Sequence, residues 1–299
     1  MRGWRLVVWL GLGFMLLWAM RTPLPPQPRN DLVESRPEET TLGKSFDATQ
    51  CGTVECIVEW QGEVPTVPEL HLNRPKTNAP DGKKPANPNA PQVSANGGLA
   101  DAAIRLRGVD LAKSRPWRHE PTTIEIADND LRVRPAFGSG RFGIVRRGST
   151  VRLVSREPLE HSVRGRGASF FNQMLFAMDQ PVDRQLSNEG IVELDSGTWF
   201  YWHHAYLIVS DHPYVGVSGR DGKLQLDQVP AGEYEIACWK ANWHIAEIER
   251  DREWLSQSGV VFEPAVEKRQ TVRVVAGQKT QVKFRFQTAD FVPRVNSNK

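Results

Sequence analysis

A chain of 299 residues is long enough for two compact domains and their linkers. Its 38 basic and 35 acidic residues leave a formal charge of only +3, too small a surplus to point to nucleic acid. The arginines that recur from Arg132 to Arg166 read as outward strand positions facing solvent, with an anion-binding patch as the alternative.

Arg2 and Arg5 precede the apolar run LVVWLGLGFMLLWAM, which ends at Arg21. Trp18, Met20 and Arg21 stand where a cleavage site would need small residues. Residues 1–21 therefore read as a signal anchor, a membrane helix with its positive end in the cytoplasm. The rest of the chain is expected outside the cytoplasm, in the periplasm or at the cell surface, and secreted if the segment is cleaved. Residues 22–50, rich in Pro, Arg and Glu, read as a disordered linker.

Order is expected from Cys51. In TVECIVEW, Val54, Cys56, Val58 and Trp60 share one face and Glu55 and Glu59 the other, the pattern of a half-buried strand. Residues 68–98 read as a surface loop. ADAAIRLRG is a second strand, with Ala102, Ile104 and Leu106 together, and residues 109–121 are irregular. From Thr122 short strands follow one another with turns at Asp128-Asn129-Asp130 and Arg147-Gly148. FFNQMLFAM reads as a short helix or as irregular packing. Met174 and Met178, at helical spacing, are expected to fill core gaps. VGVSGRDGKLQLDQVPAGEYEIACWK reads as three strands, with Asp221-Gly222 as a tight turn. Residues 241–258 suggest a short helix, QTVRVV and TQVKFRF two last strands, and 289–299 a fraying tail. Many short strands at this spacing make the fold an all-β sandwich or barrel.

RRGSTVRLVSREPLEHSV and SGTWFYW…YLIV resemble the cupredoxin-like domains of exported bacterial proteins, in particular those of methylamine-utilisation-like proteins. SGRDGKLQLDQVPAGEYEIACW, followed by TVRVVAGQKTQVKFRF, resembles the carboxypeptidase regulatory-like domain, a transthyretin-like sandwich. The first half of that domain is matched by GTVECIVEWQGEVP and ADAAIRLRG. The two resemblances imply a cupredoxin-like Greek-key sandwich over 122–210, inserted in a transthyretin-like β-sandwich made of 51–110 and 211–288. Adjacent serial domains are the alternative. Asp211, His212, Pro213 and Tyr214 would be the domain junction, with His212 ordering the hinge. If the insertion holds, Cys56 and Cys238 enter one core. A Cys56–Cys238 disulfide is then an option beside free buried thiols or a pairing that uses Cys51.

A blue-copper centre needs two histidines, a thiolate and usually a methionine. His161 matches the early histidine of the cupredoxin pattern. No cysteine lies between Gly197 and Val209, and the loop there is too short. A His-only copper site would draw on His161 with His203 or His204, which as neighbours on a strand point to opposite faces. The other reading of the three is packing and local hydrogen bonding, with no cofactor. Trp199, Trp202, Trp239 and Trp243 suit a seam between sheets, or a carbohydrate platform. Glu249, Arg250, Asp251 and Arg252 read as a solvated charge run. No nucleophile–base motif is present, so the expectation is no enzyme. The sequence thus points to a non-catalytic extracytoplasmic binding or surface-assembly protein with a degenerate cupredoxin-like domain. Its partner would be an unidentified protein or a cell-surface polysaccharide, with no nucleic acid. The alternative is a copper-binding or electron-transfer protein with a His-only site.

Overall fold

The computed structural model describes residues 43–70, 86–198, 200–250 and 257–293. The segment read as a membrane anchor lies outside them. Among the described residues no helix is long and apolar enough to cross a membrane.

The fold is all-β. Two strands come first, β1 (Cys51–Trp60) and β2 (Ala102–Arg107). Nine follow: β3 (Thr122–Ala127), β4 (Asp130–Arg134), β5 (Phe142–Arg146), β6 (Thr150–Ser155), β7 (His161–Gly167), β8 (Phe171–Leu175), β9 (Val182–Gln185), β10 (Gly190–Ser196) and β11 (His204–Ser210). The last seven are β12 (Val215–Val217), β13 (Lys223–Pro230), β14 (Gly232–Lys240), β15 (Ile245–Arg250), β16 (Gln257–Phe262), β17 (Val266–Val274) and β18 (Lys279–Phe286).

β1 sits between β13 and β18, antiparallel to the first and parallel to the second. β2 sits between β12 and β14, and β17 closes that sheet. One core therefore joins residues far apart in sequence: Val54, Cys56 and Val58 meet Ile236, Cys238 and Phe284. Between them, β3–β11 form two sheets of their own, ordered β4-β3-β6-β9 and β5-β11-β10-β7-β8. Their core contains Ile124, Leu153, Val163, Leu194 and Leu207.

Strand β11 decides how the two sandwiches meet. All seven of its residues, HAYLIVS, are buried. Successive side chains on a strand face opposite ways. Ala205, Leu207 and Val209 thus enter the inner core, while Tyr206 and Ile208 join Ala103, Phe142 and Val217 in a third cluster between the sandwiches. A strand buried on both faces reads as a continuous apolar run, as this one does.

Several local expectations are corrected. Residues 171–175 form β8, antiparallel to β7, and Met178 is exposed rather than packed. Where a helix is expected, Ile245–Arg250 and Gln257–Phe262 pair as the antiparallel strands β15 and β16. Order begins before Cys51, because Gly43 and Ser45 donate backbone hydrogen bonds to Leu111 and Ala112. The supposed tail carries Phe291, fully buried against Trp243 at 4.4 Å and Trp60 at 6.0 Å. None of these long-range contacts leaves a periodicity in its own segment.

Candidate functional site

Three connections converge at one end of the β3–β11 sheets: the β3–β4 turn, the β6–β7 loop and the β10–β11 loop. Trp202 Nε1 donates to the Asn129 carbonyl at 2.9 Å. The Asn129 backbone N–H donates to Glu157 Oε1 at 2.5 Å. Glu157 Oε2 lies 2.9 Å from His161 Nε2. A carboxylate only accepts, so Nε2 carries the proton and Nδ1 keeps the lone pair. That Nδ1 is buried and has no hydrogen-bond partner among the described residues.

His203 lies beside His161, with ring centroids 6.0 Å apart. Phe200 packs against both, 4.5 Å from His161 and 5.1 Å from His203, the latter within 15° of parallel. Neither ring nitrogen of His203 has a partner of good hydrogen-bond geometry among the described residues. Burial pushes its pKa down to about 3, partly offset by the Asn129 carbonyl. Burial also lowers that of His161, against the pull of Glu157. Both imidazoles are therefore neutral at physiological pH.

His204 belongs elsewhere. It shares the seam-facing side of β11 with Tyr206, and its ring meets Phe262 edge-on at 5.0 Å. It too is held down to about 3 by burial and by Arg141. Of the three histidines, the structure brings His161 and His203 together and sets His204 apart.

This donor set does not suit blue copper. Cys51 and Cys56 lie on β1 and Cys238 on β14, all in the other sandwich. Phe200 occupies the neighbourhood where further ligands would have to enter. Among the described residues no group of three His, Cys, Asp or Glu side chains could hold a metal ion. The three cysteines are free and buried. Cys56 and Cys238 face one core from opposite sheets.

The seam between the sandwiches is polar as well as aromatic. Tyr206 donates to Asn89 Oδ1 at 2.6 Å, and Asn89 Nδ2 to the Asn242 carbonyl at 2.9 Å. Part of the loop expected over the surface is thus buried. Trp239 meets Tyr206 and Phe142 edge-on, and Trp243 packs on Trp60. Trp199 lies outside the described residues. Arg164 and Arg166, expected in solvent, are largely covered. Arg164 bonds Asp195 at 2.7 Å and Glu249 at 2.6 Å, and Arg166 also pairs with Asp195. Arg164 and Asp195 are cross-strand partners on the outer face of β7 and β10, and Glu249 reaches them from β15. The expectation of a solvated run at Glu249 is corrected by this burial. A charge alternating with apolar residues looks the same whether water or another sandwich covers it.

At the junction, Asp211 pairs with Arg147 at 2.5 Å. His212 Nδ1 accepts from the Tyr214 backbone N–H at 3.2 Å, and burial lowers the His212 pKa to about 4. The Tyr214 hydroxyl accepts from the Arg115 N–H at 2.8 Å and donates to the Gln228 carbonyl at 2.7 Å. Pro213 lines a cleft with Trp117, Pro135 and Phe137.

No family model matches the chain, and no curated protein matches it. Solved structures similar to part of it are cupredoxins. A reduced-state amicyanin variant is 16% identical and covers 31% of this chain and 85% of its own, with a TM-score of 0.24. A purple cupredoxin from Nitrosopumilus maritimus is 17% identical over 31% of this chain and 100% of its own, with a TM-score of 0.24. A copper-containing nitrite reductase from Thermus scotoductus SA-01 is 12% identical over 32% of this chain and 24% of its own, with a TM-score of 0.25.

Proposed function

We propose that the chain is a non-catalytic, extracytoplasmic binding protein. In this reading a cupredoxin-like sandwich with a degenerate metal end is inserted in a transthyretin-like sandwich. The arginine-flanked apolar N-terminus supports export and membrane attachment. The observation that carries the reading is the placement of Phe200 against both His161 and His203. The imidazoles there serve as neutral, buried packing plates, and the loop that would supply a thiolate supplies an aromatic core instead. Binding is then left to the surfaces where the sandwiches meet.

A second reading, a His-only copper protein, is favoured by the partnerless nitrogens of His161 and His203. Titration of the exported portion with Cu(II), followed by electron paramagnetic resonance, separates the two. We expect no stoichiometric signal. A one-to-one signal abolished by His161→Ala would establish the copper reading and overturn the first.

A further inference from the structure

The cleft beside the junction has a composition that the histidine cluster does not explain. Its volume is about 460 Å³, within the range of roughly 300–1,000 Å³ typical of small-molecule sites. Trp117, half-buried, forms one wall and stands edge-on to His119 at 5.6 Å. Pro135, Phe137 and Pro213 supply further apolar surface. His119 Nε2 donates to the Ile144 carbonyl at 2.9 Å, which leaves its Nδ1 an acceptor.

Arg115 is held in place by its backbone bond to Tyr214 and by its guanidinium lying over the Tyr214 ring at 5.9 Å. Its Nε is buried without a hydrogen-bond partner among the described residues. An unmatched buried donor of this kind is costly, the more so on a charged group. Arg115 also lines the cleft, so its guanidinium lends the cleft a positive charge. Arg118 stands exposed on the same cleft and adds a second cation, with Glu120 as a further acceptor.

Resting on the binding-protein reading, we propose that this cleft takes a carboxylated pyranose unit of an acidic polysaccharide. Trp117 stacks on the apolar face of the sugar, and Arg115 and Arg118 take the carboxylate. His119 and Glu120 accept from ring hydroxyls. An extended acidic peptide suits the cleft less well. A peptide strand needs a row of free backbone donors and acceptors, and prolines offer no N–H. The Ile144 carbonyl on β5 is already taken by His119 and by Thr122 Oγ1 at 3.3 Å.

Calorimetric titration of the full chain with trigalacturonate, maltotriose and hexaglutamate tests this. Trigalacturonate is expected to bind at least tenfold more tightly than either of the others. Trp117→Ala should weaken it at least tenfold and Arg118→Gln several-fold, while Phe170→Ser, on an exposed turn, leaves it unchanged. If Trp117→Ala fails to fold, Trp117→Phe and Arg118→Gln carry the same test. Tighter binding of hexaglutamate would make the cleft a peptide site. Equal binding of maltotriose, no heat with any probe at millimolar concentration, or full affinity in folded Trp117→Ala would each overturn the proposal. A chain that is silent in copper titration and also fails to bind trigalacturonate loses the cleft assignment but keeps the binding-protein reading. A copper-positive chain loses that reading whatever the sugar result.

Discussion

Gly222 and Gly98 lie backbone to backbone: a Cβ placed on Gly222 would come within 2.7 Å of the Gly98 Cα. It would also strike the Val58 carbonyl oxygen, and Gly222 has a φ of +77°. The contact pins the Asp221-Gly222 turn against the entry to β2 and joins the two separated parts of the outer sandwich. Gly222→Ala therefore meets both a steric clash and a left-handed backbone. It is expected to lower stability by about 2–4 kcal/mol, read as a fall in the urea midpoint. A loss under about 0.5 kcal/mol would mean that the two segments part easily.

Asp195 is the acceptor shared by Arg164 and Arg166. Removing its charge leaves two largely covered guanidinium groups beside Glu249 and, across the strand from Arg166, Glu193. Breaking a buried ion pair from one side costs about 3–5 kcal/mol, and residual solvent access here reduces that to roughly 2–3 kcal/mol. Asp195→Asn is expected to show this loss in urea denaturation. Proteolysis should also quicken within β15 and β16, since Glu249 anchors that pair of strands.

Acid should destabilise the fold through its histidines. His203 and His204 are held down to about 3 and His212 to about 4, against an ordinary 6.5. Between those values and 6.5 the unfolded chain binds more protons than the folded one. Their contribution is therefore complete above pH 6.5 and is lost as pH falls. Each such histidine steepens the decline by up to about 1.4 kcal/mol per pH unit. Burial raises Asp195, which acts in the opposite sense at the acid end. The urea midpoint should drop between pH 7.5 and 5, less steeply in His203→Phe. A midpoint that does not move over that range would contradict the placement of these rings.

The thiols should all be free and slow to react. Burial pushes Cys56 up to about 12 and Cys238 well above its ordinary value, and the thiolate is the reactive form. Disulfide-exchange reagent should find three thiols in non-reducing denaturant and almost none in the native chain. A count of one after unfolding would show that a bridge forms.

Local pattern alone determined a good deal here. Period-2 alternation marks the buried face of β1, where Val54, Cys56, Val58 and Trp60 all enter the core, because a strand must turn alternate side chains the same way. The lack of a cysteine near His203 already excludes a thiolate ligand from that loop. Only the tertiary structure decided the rest, because the deciding contacts join residues distant in sequence. It chose β13 and β18 as the neighbours of β1, and buried Phe291 on Trp243. It covered Arg164 with Glu249, which a solvent-facing reading of the same alternation could not foresee. It brought Asn129, Glu157 and His161 into one network from separate connections. A segment's own residues record whether a side chain points in or out; what lies on the other side is set by the packing of whole sheets.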